Sequence, residues 1–315
     1  MFQTSKPLFF ICETPLHAGS GSDLGIVDLP IQREKHTGFP KIESSSLKGA
    51  MREAVETKLK MPKNGSLPLI DALFGPDESL KGGAEAHMGA LGFSDARLLL
   101  FPVKSMKGVF AWVTCPKVLD QFKRDMKLAK LENDTFDITS PSGSDYNVNT
   151  EGVCKLLNQN GSALKVGTSI LLEEYAFTHH SADLKVGEKS LQDWFADNLP
   201  TEWTDKIKAD IVILSNDDFK DFVNLSTEVI TRTKINNDTG TVQPGALFTE
   251  EFLPAESVMY SLIMASPIFK KEQGNLDTAG KVMTAFTDVV QQQLPVMQIG
   301  GNATLGKGIV RTKII

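Results

Sequence analysis

Cysteine is scarce in this chain: Cys12, Cys115 and Cys154 are the only three, an odd number with no C-x-x-C spacing. A disulfide framework and a cysteine-based zinc site are thereby excluded, and a reducing cytoplasm is the expected compartment. No apolar run approaches the roughly 20 residues needed to span a bilayer. The N-terminal stretch also lacks the basic, apolar, small-residue order of a signal peptide, so no membrane partner is expected. Positive charge is short as well, with 33 Lys and Arg against 39 Asp and Glu, a net charge of -6. Freestanding, non-specific nucleic-acid binding is disfavoured, because counterion release needs a basic surface. Local cationic patches can still serve.

What is present is an ordinary globular composition, 41% hydrophobic and 23% charged over 315 residues, long enough for one large domain with insertions or two smaller ones. The stretch Thr14–Glu53 concentrates the functional signal. An apolar strand pattern (Leu8–Cys12) gives way to the turn Gly19-Ser20-Gly21-Ser22, followed by Asp23 and Asp28. Gln32-Arg33-Glu34-Lys35-His36 then places five hydrogen-bonding side chains in a row, which suits solvent or a charged ligand rather than a core. Ser44, Ser45 and Ser46 stand at an expected helix start, with Lys48 and Arg52 four apart on one face. Helix-start N–H groups, hydroxyls and two cations suit an anionic backbone better than a small neutral substrate.

Further along, the pattern predicts a helix over 46–60, strands near 93–101, 109–114, 169–177, 211–214 and 258–265, and a helix over 278–293. Apolar residues thin out from Glu132 to Ala163, which reads as a polar insertion. Lys104-Ser105-Met106-Lys107-Gly108 echoes Ser46-Leu47-Lys48-Gly49 as a weak internal repeat. From Arg232 to Phe252 the Asn237-Asp238-Thr239-Gly240 turn signal lies between extended arms poor in apolar residues near the tip, a projecting finger. Glu250 and Glu251 in its second arm read as exposed strand carboxylates, with Glu250 a candidate to complete a site across neighbouring copies. The loop Gly300-Gly301-Asn302-Ala303-Thr304-Leu305-Gly306-Lys307-Gly308 allows close backbone approach, but Gly308 stands where a Walker A loop needs Ser or Thr. His179-His180 does not form a metal pair, because neighbours on a strand point to opposite faces.

The G-S-G loop, Asp28 with Pro30 to Pro40, Ser45-Ser46-Leu47-Lys48-Gly49-x-x-Arg52, the Thr239-Gly240 finger and the terminal glycine loop, in that order, resemble the RAMP superfamily over nearly the whole chain. The likeness is strongest to the repeating backbone subunits of type III-B CRISPR (Cmr) effector complexes. It implies an α+β fold: a single RAMP domain over 1–315 with a ferredoxin-like, RRM-related core, a thumb β-hairpin at about 232–252 and an insertion at about 132–163. It implies as partners a CRISPR RNA, a target RNA, copies of the chain in a helical stack and other Cmr subunits. Each thumb would displace every sixth nucleotide of the guide–target duplex, and target RNA would be cut beside it.

On that resemblance Asp28 occupies the catalytic aspartate position, with His17 a candidate proton donor and Glu250 a candidate accessory carboxylate. An exposed aspartate is a feeble base at neutral pH, so Asp28 is read first as a ligand for a divalent cation, Mg or Mn. Gln32, Arg33, Ser45, Ser46, Lys48, Arg52, Gly300, Gly301 and Lys307 are the expected RNA contacts. A non-cleaving scaffold that binds guide RNA is the alternative, and a standalone processing ribonuclease a third reading.

Overall fold

Six consecutive buried residues, Pro7 to Cys12, make the first strand an interior one, apolar on both faces as such strands must be. In the computed structural model, which describes residues 2–23, 25–59, 68–76, 87–130, 136–141, 146–158, 161–268 and 276–315, this strand (β1, Thr4–Cys12) lies inside a 13-stranded mixed sheet. The elements that build the sheet and its covering layers follow in chain order. After β1 come α1 (Ser44–Lys58), β2 (Ala96–Lys104), β3 (Phe110–Thr114) and α2 (Pro116–Leu128). The middle of the chain supplies β4 (Val153–Leu156), β5 (Tyr175–Ser181), β6 (Ile211–Ile213) and α3 (Asn216–Leu225). The last third supplies β7 (Glu228–Arg232), β8 (Phe248–Phe252), β9 (Val258–Ala265), α4 (Ala279–Gln293) and β10 (Ile309–Ile314).

Strands β10, β1, β9, β2 and β3 are neighbours in that order and all antiparallel. β6 then adds parallel to β3, β4 antiparallel to β6, and β5 parallel to β4. In the register of β1 with β9, Phe9 faces Tyr260. Phe9, Phe122 of α2, Trp194 and Tyr260 form one aromatic cluster, with centroids 5.1–6.4 Å apart, that fills one side of the sheet. The alternate residues Leu8 and Phe10 turn to the other side, where α4 packs on β1, β9 and β10 and touches α1. A core buried on both faces of β1 therefore anchors the loop that leaves its C-terminal end.

Helix α1 starts at Ser44 rather than Ser46 and has no side-chain cap of its own; Asp95 Oδ1 accepts the Ser44 N–H at 2.9 Å instead. The described residues of the polar segment 132–163 are partly packed into the core. Among its described residues Phe136, Ile138, Val148 and Leu157 are buried, and β4 sits inside the sheet between β6 and β5. Pairing on both sides lets four residues hold a strand that periodicity alone does not mark. The two Ser-x-Lys-Gly stretches do not repeat structurally, since one opens α1 and the other is the turn between β2 and β3. β7 and β8 form a two-stranded antiparallel ladder of their own, separate from the large sheet, and the residues joining them are largely exposed, with a bridge between Ile235 and Val242. Among the described residues no helix is long and apolar enough to cross a membrane.

Candidate functional site

Strand β8 is where the opening loop and the hairpin meet. Residues 28–31 run alongside it as a short extra ladder. Leu29 N donates to Thr249 O at 3.0 Å, Glu251 N donates to Leu29 O at 3.0 Å, and Ile31 N donates to the Glu251 side chain at 3.0 Å. The exposed Asp28 begins this ladder. Its Oδ2 accepts the Thr249 N–H at 2.7 Å and the Thr249 hydroxyl at 2.8 Å, while Asp28 N lies 2.9 Å from the same Oγ1. These bonds, the Thr249 N–H foremost, hold the carboxyl below the usual carboxylate range. One solvent-facing anion is thus fixed at the foot of the hairpin.

Glu250 turns the other way and, with Glu251, is buried rather than exposed: only 4% and 5% of these residues are accessible. Glu250 Oε1 accepts from Asn302 Nδ2 at 2.5 Å, and Arg232 Nε lies 2.6 Å from Oε2, an ion pair in which the N–H is not aimed at the oxygen. His17 donates through Nδ1 to Glu251 O at 2.7 Å, which leaves Nε2 facing Glu250 Oε1 at 3.6 Å. Glu251 is satisfied by Arg33 at 2.5 Å, by the Thr227 hydroxyl at 2.8 Å and by Ile31 N. Two buried carboxylates on consecutive residues of one strand are each neutralised by an arginine from elsewhere in the chain, as burial requires.

The terminal loop closes on the same corner. Gly300, at φ +82°, lies so near the opening loop that a Cβ there would stand 2.2 Å from His17 O, and Gly301 N donates to that oxygen at 2.9 Å. Lys307 Nζ sits 4.9 Å from the centre of the Phe252 ring. Gln32 ties the opening loop to α1, donating to Gly19 O at 3.0 Å and accepting from Glu43 N at 2.7 Å; Ser46 Oγ lies 3.4 Å from its amide. Ser45 is exposed at the start of α1.

The remaining cations singled out in the sequence have intramolecular partners. Arg33 donates to Gly38 O, Val223 O and Asn224 Oδ1 besides Glu251. Lys48 Nζ donates to Leu91 O at 3.0 Å, and burial together with Arg52 lowers its pKa. Arg52 bonds Glu56 and Gly75 O, each at 2.7 Å.

The site thus contains Asp28, His17, Glu250, Gly300, Gly301 and Lys307 around one strand. Among the described residues, however, Asp28 makes no hydrogen bond or ion pair with His17 or Glu250. No group of three metal-ligating His, Cys, Asp or Glu side chains occurs among the described residues either. Asp28 Oδ1, clear of the Thr249 bonds that both fall on Oδ2, could supply one ligand to a cation and no more. Sequence reasoning missed Thr249, Arg232 and Asn302. The adjacent carboxylates Glu250-Glu251 opposite Arg232 in one hairpin were the available signal.

The chain is 38% identical over 306 residues, 96% of its own length and 92% of the relative's, to the CRISPR system Cmr endoribonuclease Cmr4 of Pyrococcus furiosus. It is 26% identical over 318 residues to the CRISPR system CMR subunit Cmr4 of Saccharolobus solfataricus, covering 98% and 96% of the two chains. The crystal structure of oligomeric Cmr4 from Pyrococcus furiosus superposes with a TM-score of 0.67 at 29% identity, covering 99% of this chain and 98% of that one. A chain in the cryo-EM structure of the type III-B Cmr-beta bound to cognate target RNA shares the fold, with a TM-score of 0.70 at 22% identity and coverage of 99% and 98%. Residues 9–311 match the model of the RAMP superfamily, and with a relative this similar along nearly its full length, the chain belongs to that superfamily.

Proposed function

We propose that the chain is a guide-RNA-binding backbone subunit of a type III-B CRISPR effector, and that it cleaves complementary target RNA at six-nucleotide intervals in the cytoplasm. The observation that carries the cleavage reading is the exposed, ionised Asp28 held by Thr249 at the foot of the β7–β8 hairpin. The order β10-β1-β9-β2, with α1 and α4 as crossovers, supports a ferredoxin-like core. The hairpin supports the thumb reading, since its connecting residues 233–247 stand out from the core.

RNA carries its own nucleophile in the 2′-hydroxyl, which A-form geometry keeps out of line with the neighbouring phosphate. A hairpin that splays one nucleotide from a guide–target duplex frees that sugar to rotate into line, and alignment removes part of the barrier. The Asp28 carboxylate then stands at the foot of the hairpin, where it orients the reacting groups. His17, through Nε2, is the group at this corner able to exchange a proton with a leaving oxygen, and the Glu251 carbonyl, accepting from Nδ1, sets its orientation. Asp28 would hold a divalent cation (Mg or Mn), which would supply charge neutralisation at the phosphate. Ser45, Ser46, Gly300, Gly301 and Lys307 form the guide-facing strip. Gln32, Arg33, Lys48 and Arg52 support it by holding the opening loop and α1. An acidic chain binds RNA this way because copies stacked along one guide, together with other Cmr subunits, each add a small contribution.

A non-cleaving scaffold is favoured by one observation, the separation of Asp28 from His17 and Glu250. Cleavage of labelled target RNA by the reconstituted complex, wild type against Asp28→Ala at matched guide loading, decides between them. Ladders spaced by six nucleotides that vanish in the variant, with target binding retained, support cleavage by this chain. Equal ladders from both move the chemistry to another residue or subunit.

A further inference from the structure

We infer that Thr249 is a positioning residue for Asp28 and that its hydroxyl, not only its place on β8, is required for cleavage. The inference rests on the reading of Asp28 given above. It starts from a geometric oddity: Asp28 is exposed, and exposed aspartates ordinarily sample several rotamers in water. This one is gripped at two points by a single residue 221 positions away. Thr249 N and Oγ1 both reach Oδ2, at 2.7 and 2.8 Å, and Oγ1 also lies 2.9 Å from Asp28 N. The hydroxyl accepts from the backbone N–H and donates to the carboxylate, so it fixes main chain and side chain together. Both bonds fall on Oδ2, in a residue that is exposed as a whole. No packing demand accounts for this, because neither residue is buried. Thr249 sits at the second position of β8, so any motion of the hairpin on engaging RNA is passed directly to Asp28.

The test uses the reconstituted complex, with guide loading matched and single-turnover cleavage measured at saturating target. Thr249→Val keeps shape and β propensity but loses the hydroxyl, and is expected to slow cleavage by about 10-fold or more while target Kd stays within about twofold. Thr249→Ser restores the hydroxyl and is expected within about threefold of wild type. In an Asp28→Ala background, Thr249→Val is expected to add nothing, since its effect runs through Asp28. Thr249→Val at the wild-type rate, Thr249→Ser as slow as Thr249→Val, or additive losses in the double variant would each overturn the role of Thr249 while leaving Asp28 intact. Full cleavage by Asp28→Ala is the separate result that removes the catalytic reading itself, and the role of Thr249 with it.

Discussion

Arg33 and Glu251, 218 residues apart in the chain, meet with a guanidinium nitrogen 2.5 Å from Oε1. This pair joins the opening loop to the hairpin, and it converts a run of exposed-looking polar residues into a structural clasp. Glu251 is almost fully buried, so removing its cation leaves an unpaired interior charge. Arg33→Ala is expected to lower the stability of the chain by about 3 kcal/mol, visible as a lower urea midpoint. Adding Glu251→Ala should cost less than the sum of the two changes, since the second removes the orphaned charge. An unchanged midpoint in Arg33→Ala would return Arg33 to the solvent and to RNA.

Lys307 and Arg52 separate a ligand-facing cation from a structural one. Arg52 is committed to Glu56 and Gly75 O, whereas Lys307 rests on the Phe252 ring beside the glycine loop. Guide-RNA affinity measured across a salt series should lose about one unit of log–log slope in Lys307→Ala. Arg52→Ala should leave the slope unchanged and lower the melting temperature instead. The reverse pattern would place the guide along α1.

Glu256 provides a pH signature of stability. Burial, and secondarily the Glu13 carboxylate, raises its pKa, against a hydrogen bond from the Trp203 side chain. Unfolded, it titrates near about 4.3. Between that value and its higher folded one, the folded chain holds more protons, so stability falls as pH rises through the window and the loss is complete above it. Glu256→Gln should therefore melt higher than wild type at pH 7, with the gain shrinking towards pH 4. A constant difference at every pH would assign the change to packing rather than titration.

The parts of the fold legible in the sequence are those whose periodicity is local. Val258–Ala265 is apolar but for Ser261 and the Tyr260 hydroxyl and appears as read, and the helix read over 278–293 differs from α4 by one residue at its start. β4 was hidden because Val153–Leu156 takes its burial from β6 and β5, which lie elsewhere in the chain. The same holds at the site. Asp28 is singled out by the family resemblance rather than by its loop, and although Glu250 and Glu251 share a hairpin with Arg232, nothing near them announces that Asn302 and Arg33 fold onto them. Long-range pairing decides their burial, and a window of sequence does not contain it.

The pairing of β10 with β1 also has a consequence for synthesis. Arg311 reaches back to Glu13 across 298 positions, and Asn302 supplies the amide that holds Glu250. While the chain is still emerging from the ribosome, β1 waits for both of its neighbours, β9 and then β10, and the corner around His17 stays open. A product truncated before Gly300 therefore cannot assemble this corner.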